Sequence, residues 1–409
     1  MQIESLIERF GDGAVLALAG LLIGLVFGGF AQRSRFCLRA AVVEFSRCCL
    51  GPKVAIWLLA FAGAVLGTQL LIGSGLLDVS QARQLASRGS LSGAIIGGLM
   101  FGVGMVLARG CASRLLVLSA TGNLRALVSG LILTLVAQAS LRGVLSPGRE
   151  WLANLWTIEG GPARNLLSWV GAGTGLGIAL GAAWLAYGVY LARRNHVSIW
   201  SGTGAVGVGL TIAAGWAATY TISQVSFEPV TVKSISFTGS SADTLMGLIN
   251  EPTIPLGFDV GLVPGVFAGS LIAALLFGDF KLQGYHGGQS MARYITGASL
   301  MGFGSMLAGG CAVGAGVTGG AVFAITAWLA LFSMWVGAGV TDWLVDQAEE
   351  MAPAVAACEP EDHGPGKIEA IPVGMAAVRG AAGSASTADS EVGSTTVAID
   401  VPESLVPAE

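Results

Sequence analysis

Two Gly-Cys pairs, Gly110–Cys111 and Gly310–Cys311, stand 200 residues apart in this chain. The stretches that end in them, 97–112 and 297–312, align without a gap and share eight identities: Gly97/Gly297, Gly102/Gly302, Gly104/Gly304, Leu107/Leu307, Ala108/Ala308, Gly110/Gly310, Cys111/Cys311 and Ala112/Ala312. Glycine, leucine and alanine are abundant here, but cysteine occurs six times in 409 residues. A matched cysteine therefore marks an internal repeat far better than the glycines do. A glycine beside each cysteine permits a tight backbone turn. A neutral thiol is a weak S–H donor that adds no charge. Thiol catalysis would need an exposed, low-pKa thiolate with a resolving partner, and no Cys-x-x-Cys occurs.

Basic residues accompany the thiols. Cys37 follows Arg33 and Arg35, and Cys111 lies between Arg109 and Arg114. Charges at membrane depth are costly and usually functional, yet long basic side chains also reach out to the headgroups. Arg33, Arg39 and Arg47 fit that second role equally well. Cys48 and Cys49 read as small buried hydrophobes, and Cys358 falls in a tail with no part in transport. Three scattered histidines make no zinc pattern, and Walker A, Rossmann and nucleophile-elbow motifs are missing from the sequence. No cofactor, metal or nucleic acid is expected, nor ATP-driven chemistry.

The elements that must position these residues are membrane helices. The chain is 53% hydrophobic and 11% charged, with a mean hydropathy of +0.72, whereas soluble domains carry about 25% charged residues. A span needs roughly 20 mostly apolar residues. Such runs occur at 12–31, 54–73, 91–109, 124–141, 166–190, 200–219, 259–278, 292–309 and 321–343. The expected fold is all-α: a polytopic membrane protein of about nine transmembrane helices. The apolar pieces 37–46 and 112–119 are too short to cross and fit interfacial or re-entrant helices. Asn123 is placed to cap the span that follows it, and Glu44 to pair with Arg47 or Arg39 by helical spacing. The segment 220–258 reads as a connector or a lid.

The repeat copies lie on the third and eighth spans, so they run in opposite directions, as in the inverted repeats of many transporters. Its halves cover about 12–141 and 200–343, within a transport domain of residues 1–345. With the N-terminus outside, twelve basic residues fall on the inner side against seven outside, which favours that orientation and a cytoplasmic C-terminus. The remainder, 346–409, carries twelve acidic residues against Lys367 and Arg379 and has no aromatic residue. Such a composition buries too little apolar surface to order a chain, and a disordered acidic tail is expected.

Three stretches resemble the YeeE/YedE family of membrane transporters: Gln32-Arg33-Ser34-Arg35-Phe36-Cys37, the Arg109-Gly110-Cys111 turn with Gly122-Asn123-Leu124-Arg125, and Leu300-Met301-Gly302-Phe303-Gly304 running to Gly310-Cys311. The resemblance spans about 12–343. It implies uptake of thiosulfate across the bacterial inner membrane, through an hourglass-shaped protein whose constriction is lined by cysteines, here Cys37, Cys111 and Cys311. With Arg109, Gly110 and Gly310 these form the candidate substrate path. It also implies a small cytoplasmic sulfur carrier of the TusA type as partner; other members handle selenium or other sulfur species. Two readings compete with transport: a membrane thiol protein that moves sulfane sulfur or electrons, and a scaffold for a redox or sulfur-transfer complex.

Overall fold

A computed structural model describes residues 2–346, apart from 172, 227, 251, 253, 254 and 285–287. The acidic tail and Cys358 lie outside the described residues. The first half holds α1 (Gln2–Phe10), α2 (Asp12–Ser34), α3 (Leu38–Ser46), α4 (Pro52–Gly73), α5 (Arg83–Ala86), α6 (Leu91–Leu107), α7 (Ala112–Ala120), α8 (Leu124–Arg142) and α9 (Ser146–Asn154). After α10 (Leu166–Trp169) come α11 (Thr174–Arg194), α12 (Ile199–Val225), α13 (Thr238–Asn250), α14 (Phe258–Phe277), α15 (Gly288–Leu307), a π-helical stretch Ala312–Thr318, α16 (Gly319–Ala321) and α17 (Ile325–Thr341). Among the described residues the only sheet is a two-residue pairing of Gly89–Ser90 with Thr157–Ile158.

Among the described residues, nine stretches are long and apolar enough to span a membrane. Three of them are bent in the middle: Asp12–Ser46 joins α2 to α3, Leu91–Ala120 joins α6 to α7, and Ser290–Ala321 joins α15 to the π-helix and α16. The protein is a multi-pass, all-α membrane protein. The short apolar pieces expected at 37–46 and 112–119 are the second limbs of two bent spans. A third limb, 312–321, occupies the gap the sequence reading leaves between its eighth span, 292–309, and its last, 321–343.

Glycines set the helix pairing by letting backbones touch. A Cβ on Gly97 would stand 2.5 Å from the Gly304 carbonyl oxygen, and one on Gly104 would stand 2.5 Å from that of Gly297. This reciprocal contact fixes α6 and α15 as antiparallel. Four other close pairs, α2 with α14, α4 with α12, α6 with α17 and α8 with α15, run parallel: Gly24 meets Leu262 and Gly28 meets Val266, while Gly98 meets Ala330 and Gly102 meets Met334. A shift of 200 residues turns the α2–α14 pair into α12–α4, and the α6–α17 pair into α15–α8.

Two boundaries differ from the hydropathy reading. The fifth span begins at Thr174, not near 166, because the chain before it is drawn into a tertiary contact through Arg164. Arg164 is 6% exposed, donating from Nη1 to Ser87 O at 2.6 Å and from Nη2 to Thr326 Oγ1 at 2.6 Å. Burial pushes its pKa down from the usual arginine value. It ties the loop before α6 to the start of α17. Replacing it with methionine leaves both acceptors unpaired, at about 1–3 kcal/mol. The purified Arg164→Met protein should therefore unfold several degrees below the parent in a detergent melting experiment.

The second difference is 220–258, read as a connector or lid. Here α12 continues to Val225, a buried extended segment carries Val232, Ser234, Ile235 and Phe237 inward, and α13 follows. Polar groups hold this non-helical backbone: Ser234 Oγ donates to Ile212 O at 2.6 Å, and Thr318 Oγ1 donates to Ile235 O at 2.7 Å. Irregular backbone at this depth is tolerated where protein surrounds it.

Candidate functional site

Each bend carries one cysteine, and each is made the same way. The residue two before the cysteine adopts a left-handed backbone: Arg35 (φ 54°), Arg109 (φ 54°) and Gly309 (φ 82°). The long helix then stops, with Gly110 N–H reaching Met105 O at 3.0 Å and Gly310 N–H reaching Ser305 O at 2.8 Å. Cys37, Cys111 and Cys311 become the N-cap residues of α3, α7 and the π-helix. In the second copy Gly309 and Gly310 (φ 155°) both take positive φ, whereas Gly110 keeps an ordinary φ and an arginine takes the left-handed position in the first copy. A non-glycine residue in that region is uncommon and held by its surroundings.

Cys37 and Cys111 come together. Their thiols lie close enough to act on one another, and the Cys111 Sγ lies 3.4 Å from Ser113 Oγ. Cys111 is buried and Cys37 partly so. The charges acting on this pair are Arg114 and Arg39, with Arg35 and Asp279 acting on Arg114 in turn. Asp279 accepts a 3.4 Å hydrogen bond from Gln32 Nε2.

Cys311, also buried, sits at the other turn, where its Sγ accepts from Gly314 N–H at 3.4 Å. Gly314 is pressed against Ser236 of the inward segment. Beneath this limb Phe61 touches Gly320 and packs on Trp57, Trp184 and Trp328 at centroid distances of 5.1–5.5 Å. The antiparallel crossing separates the two Gly-Cys turns, because Ala108 lies beside Gly297 and Ala308 beside Gly97. Eleven residues of helix at 1.5 Å each place them about 16 Å apart along α6.

The arginines divide between the site and the periphery. Arg109 is exposed despite its place beside Cys111. Arg33 stacks over the Phe277 ring at 4.3 Å and Arg125 over Tyr294 at 4.8 Å, cation–π contacts at the ends of spans. Arg47 Nε meets Asp342 at 3.4 Å, Ser46 Oγ donates to the same carboxylate at 2.9 Å, and Glu44 accepts from Val54 N–H at 2.7 Å. Arg114, which sequence spacing did not single out, is the arginine turned toward the thiols. Asn123 caps α8 through Ala126 N–H at 3.0 Å. Cys48 is exposed, not buried as its hydrophobic surroundings suggested, and Cys49 is buried. Among the described residues no cluster of three or more His, Cys, Asp or Glu forms a metal site.

A cavity of about 610 Å³ opens between the C-terminal end of α8 and α13, lined by Gln138, Arg142, Asp243 and Asn250 among others. Asp243 loses hydration there, and with the nearby Asp259 carboxylate this raises its pKa from the ordinary carboxylate value. Asp259 in turn pairs with Lys233 and accepts from Ser240 Oγ at 2.7 Å.

Known proteins are similar to this chain over most of its length. A protein named thiosulfate transporter TsuA from Spirochaeta thermophila is 29% identical over 345 residues, covering 80% of this chain and 98% of its own. A protein of the same name from Escherichia coli is 27% identical over 347 residues, covering 81% of this chain and 95% of its own. The family model described as "Sulphur transport" matches residues 33–340, from the approach to Cys37 to the end of the last span, and the chain belongs to this family of transporters.

Proposed function

We propose that the chain carries thiosulfate across the bacterial inner membrane, along a path lined by Cys311 at one turn and by Cys111 and Cys37 at the other. The observation that carries this reading is the shared construction of the three bends, each ending in a thiol at the N-terminus of a short helix. Helix N-termini bear partial positive charge, and discontinuous membrane helices present such ends to anionic substrates. Neutral thiols add S–H donors for the soft terminal sulfur without trapping a dianion. The names of the two relatives support thiosulfate as the substrate.

The antiparallel α6–α15 contact and the exchange of helix pairs under a 200-residue shift support an inverted repeat with halves near 12–141 and 200–343. In this reading the N-terminus is outside and the C-terminus cytoplasmic, so Cys111 and Cys37 face the inner side, where a TusA-like carrier would accept the substrate. The contact between Cys37 and Cys111 also suits dithiol redox chemistry. That reading makes these two cysteines essential and Cys311 dispensable, whereas transport requires Cys111 and Cys311 alike.

Expression in a bacterium lacking its own sulfate and thiosulfate uptake tests the proposal. Growth on thiosulfate as sole sulfur source is expected; no growth, with the protein shown to be inserted, would reject it. Deleting residues after Met351 should leave growth nearly unchanged at matched expression, since the tail is acidic and has no aromatic anchor. Loss of growth in a well-inserted truncation would assign the tail a role in transport.

A further inference from the structure

We propose that Arg114 holds the oxyanion head of the substrate in a cationic subsite shared with Cys37 and Cys111, and that the Cys311 turn has no equivalent. The proposal rests on the transport reading above. Arg114 occupies the first turn of α7, where the helix dipole disfavours a cation. Its position therefore does nothing for the helix. Its Nη1 is buried and has no hydrogen-bond partner among the described residues. A buried, unpaired donor on a charged group is costly, and such orphans are rare enough to call for a reason. Guanidinium is charged at every physiological pH and presents N–H groups in a fork that fits two oxygens of one anion. Asp279, near enough to act on it electrostatically, has one carboxylate oxygen engaged by Gln32.

A second observation points to the same place. Cys311 caps its own helix through Gly314 N–H, but neither Cys37 nor Cys111 makes a side-chain cap. The first-turn amides of the two nine-residue helices lie beside these thiols, Ala40 N–H near Cys37 and Arg114 N–H near Cys111, without closing a cap. These amides, the Ser113 hydroxyl, the Arg114 fork and two thiols match an anion with several hard oxygens and one soft sulfur. Two hundred residues later Ser113 and Arg114 become Val313 and Gly314, and Cys37 becomes Phe237. One turn thus presents a single self-capped thiol and no charge, the other a cation and two thiols. The two ends of the path differ in affinity.

The test uses the full-length protein purified in detergent, with thiosulfate and sulfate as separate probes. Affinity is read from the ligand-dependent rise of the unfolding midpoint, and KM from uptake by cells. Arg114→Gln is expected to weaken thiosulfate binding at least about tenfold and to raise KM, as loss of a charge-assisted pair implies. Arg114→Lys keeps the charge but not the fork and should fall between. Asp279→Asn removes the carboxylate that competes for the same guanidinium and should tighten binding severalfold. Parental affinity in a folded Arg114→Gln protein would overturn the proposal. If Arg114→Gln does not fold, Arg114→Lys and Asp279→Asn decide, and parental affinity in both would overturn it. Failure of the parent protein to bind or take up thiosulfate would overturn the transport reading, and this subsite with it.

Discussion

Replacing Cys111 or Cys311 by alanine is expected to remove nearly all thiosulfate uptake, while Cys48→Ala transports like the parent. Each substitution deletes an S–H donor from the substrate path, and at the Cys311 turn no second thiol or cation stands in for it. A hydrogen bond to a charged group is worth about 1.5–3 kcal/mol, so losing one slows passage roughly tenfold to a hundredfold. Serine keeps a donor, but its harder, shorter hydroxyl should serve the soft sulfur less well, leaving Cys111→Ser and Cys311→Ser between parent and alanine. Cys48 is exposed and belongs to none of the three bends, which makes it the matched control. The measurement is uptake of radiolabelled thiosulfate by cells at equal membrane expression. Parental uptake by both alanine variants would end the thiol-lined path. Loss confined to Cys111 and Cys37 would favour dithiol chemistry instead.

The second large effect concerns assembly. Valine at Gly97 or Gly304 should abolish recovery of a monodisperse protein, because α6 and α15 touch there through bare backbone. A Cβ at Gly97 would meet Gly304 O at 2.5 Å and Ala308 N at 2.6 Å; one at Gly304 would meet Gly97 O at 2.7 Å and Phe101 N at 2.9 Å. No flexible side chain is present to yield. The helices must part, at a cost of at least the 1–3 kcal/mol typical of overpacking, and the two bent spans move with them. Gly29 has nothing within 4 Å of its would-be Cβ, so Gly29→Val is the control that keeps composition constant. Size-exclusion profiles of detergent extracts separate the outcomes. Normal monodisperse peaks for both Gly97→Val and Gly304→Val would mean that the crossing is not close-packed.

Much of this architecture is legible in the sequence, for identifiable reasons. Apolar runs fix where spans occur because every backbone group in lipid must be paired internally. The rarity of cysteine makes the Cys111/Cys311 match visible among common glycines, and Asn123 before a run of apolar residues reads directly as a cap. The bends are harder. Gly309 announces a left-handed turn, but Arg35 and Arg109 reach the same backbone region as arginines, which tertiary contacts alone enforce. Hydropathy reports composition and not direction, so the limb 312–321 after α15 is left unassigned between the spans read at 292–309 and 321–343. The inward segment before α13 looks like a polar loop because Ser234 and Ser236 are hydrophilic; their hydroxyls are consumed by, or pressed against, neighbouring backbone that sequence cannot show. Arg114 was hidden for a related reason. Five arginines flank Cys37 and Cys111 within four residues, and the turn geometry alone decides that Arg109 faces out while Arg114 faces the thiols.

Accumulation of radiolabelled thiosulfate by the purified protein in lipid vesicles tests the central claim most directly. No ATP, cytoplasmic carrier or other protein is added. The account predicts saturable entry above protein-free vesicles, blocked when a membrane-permeant maleimide has first modified the thiols. Entry no faster than into protein-free vesicles, or entry that full thiol modification leaves untouched, would contradict it.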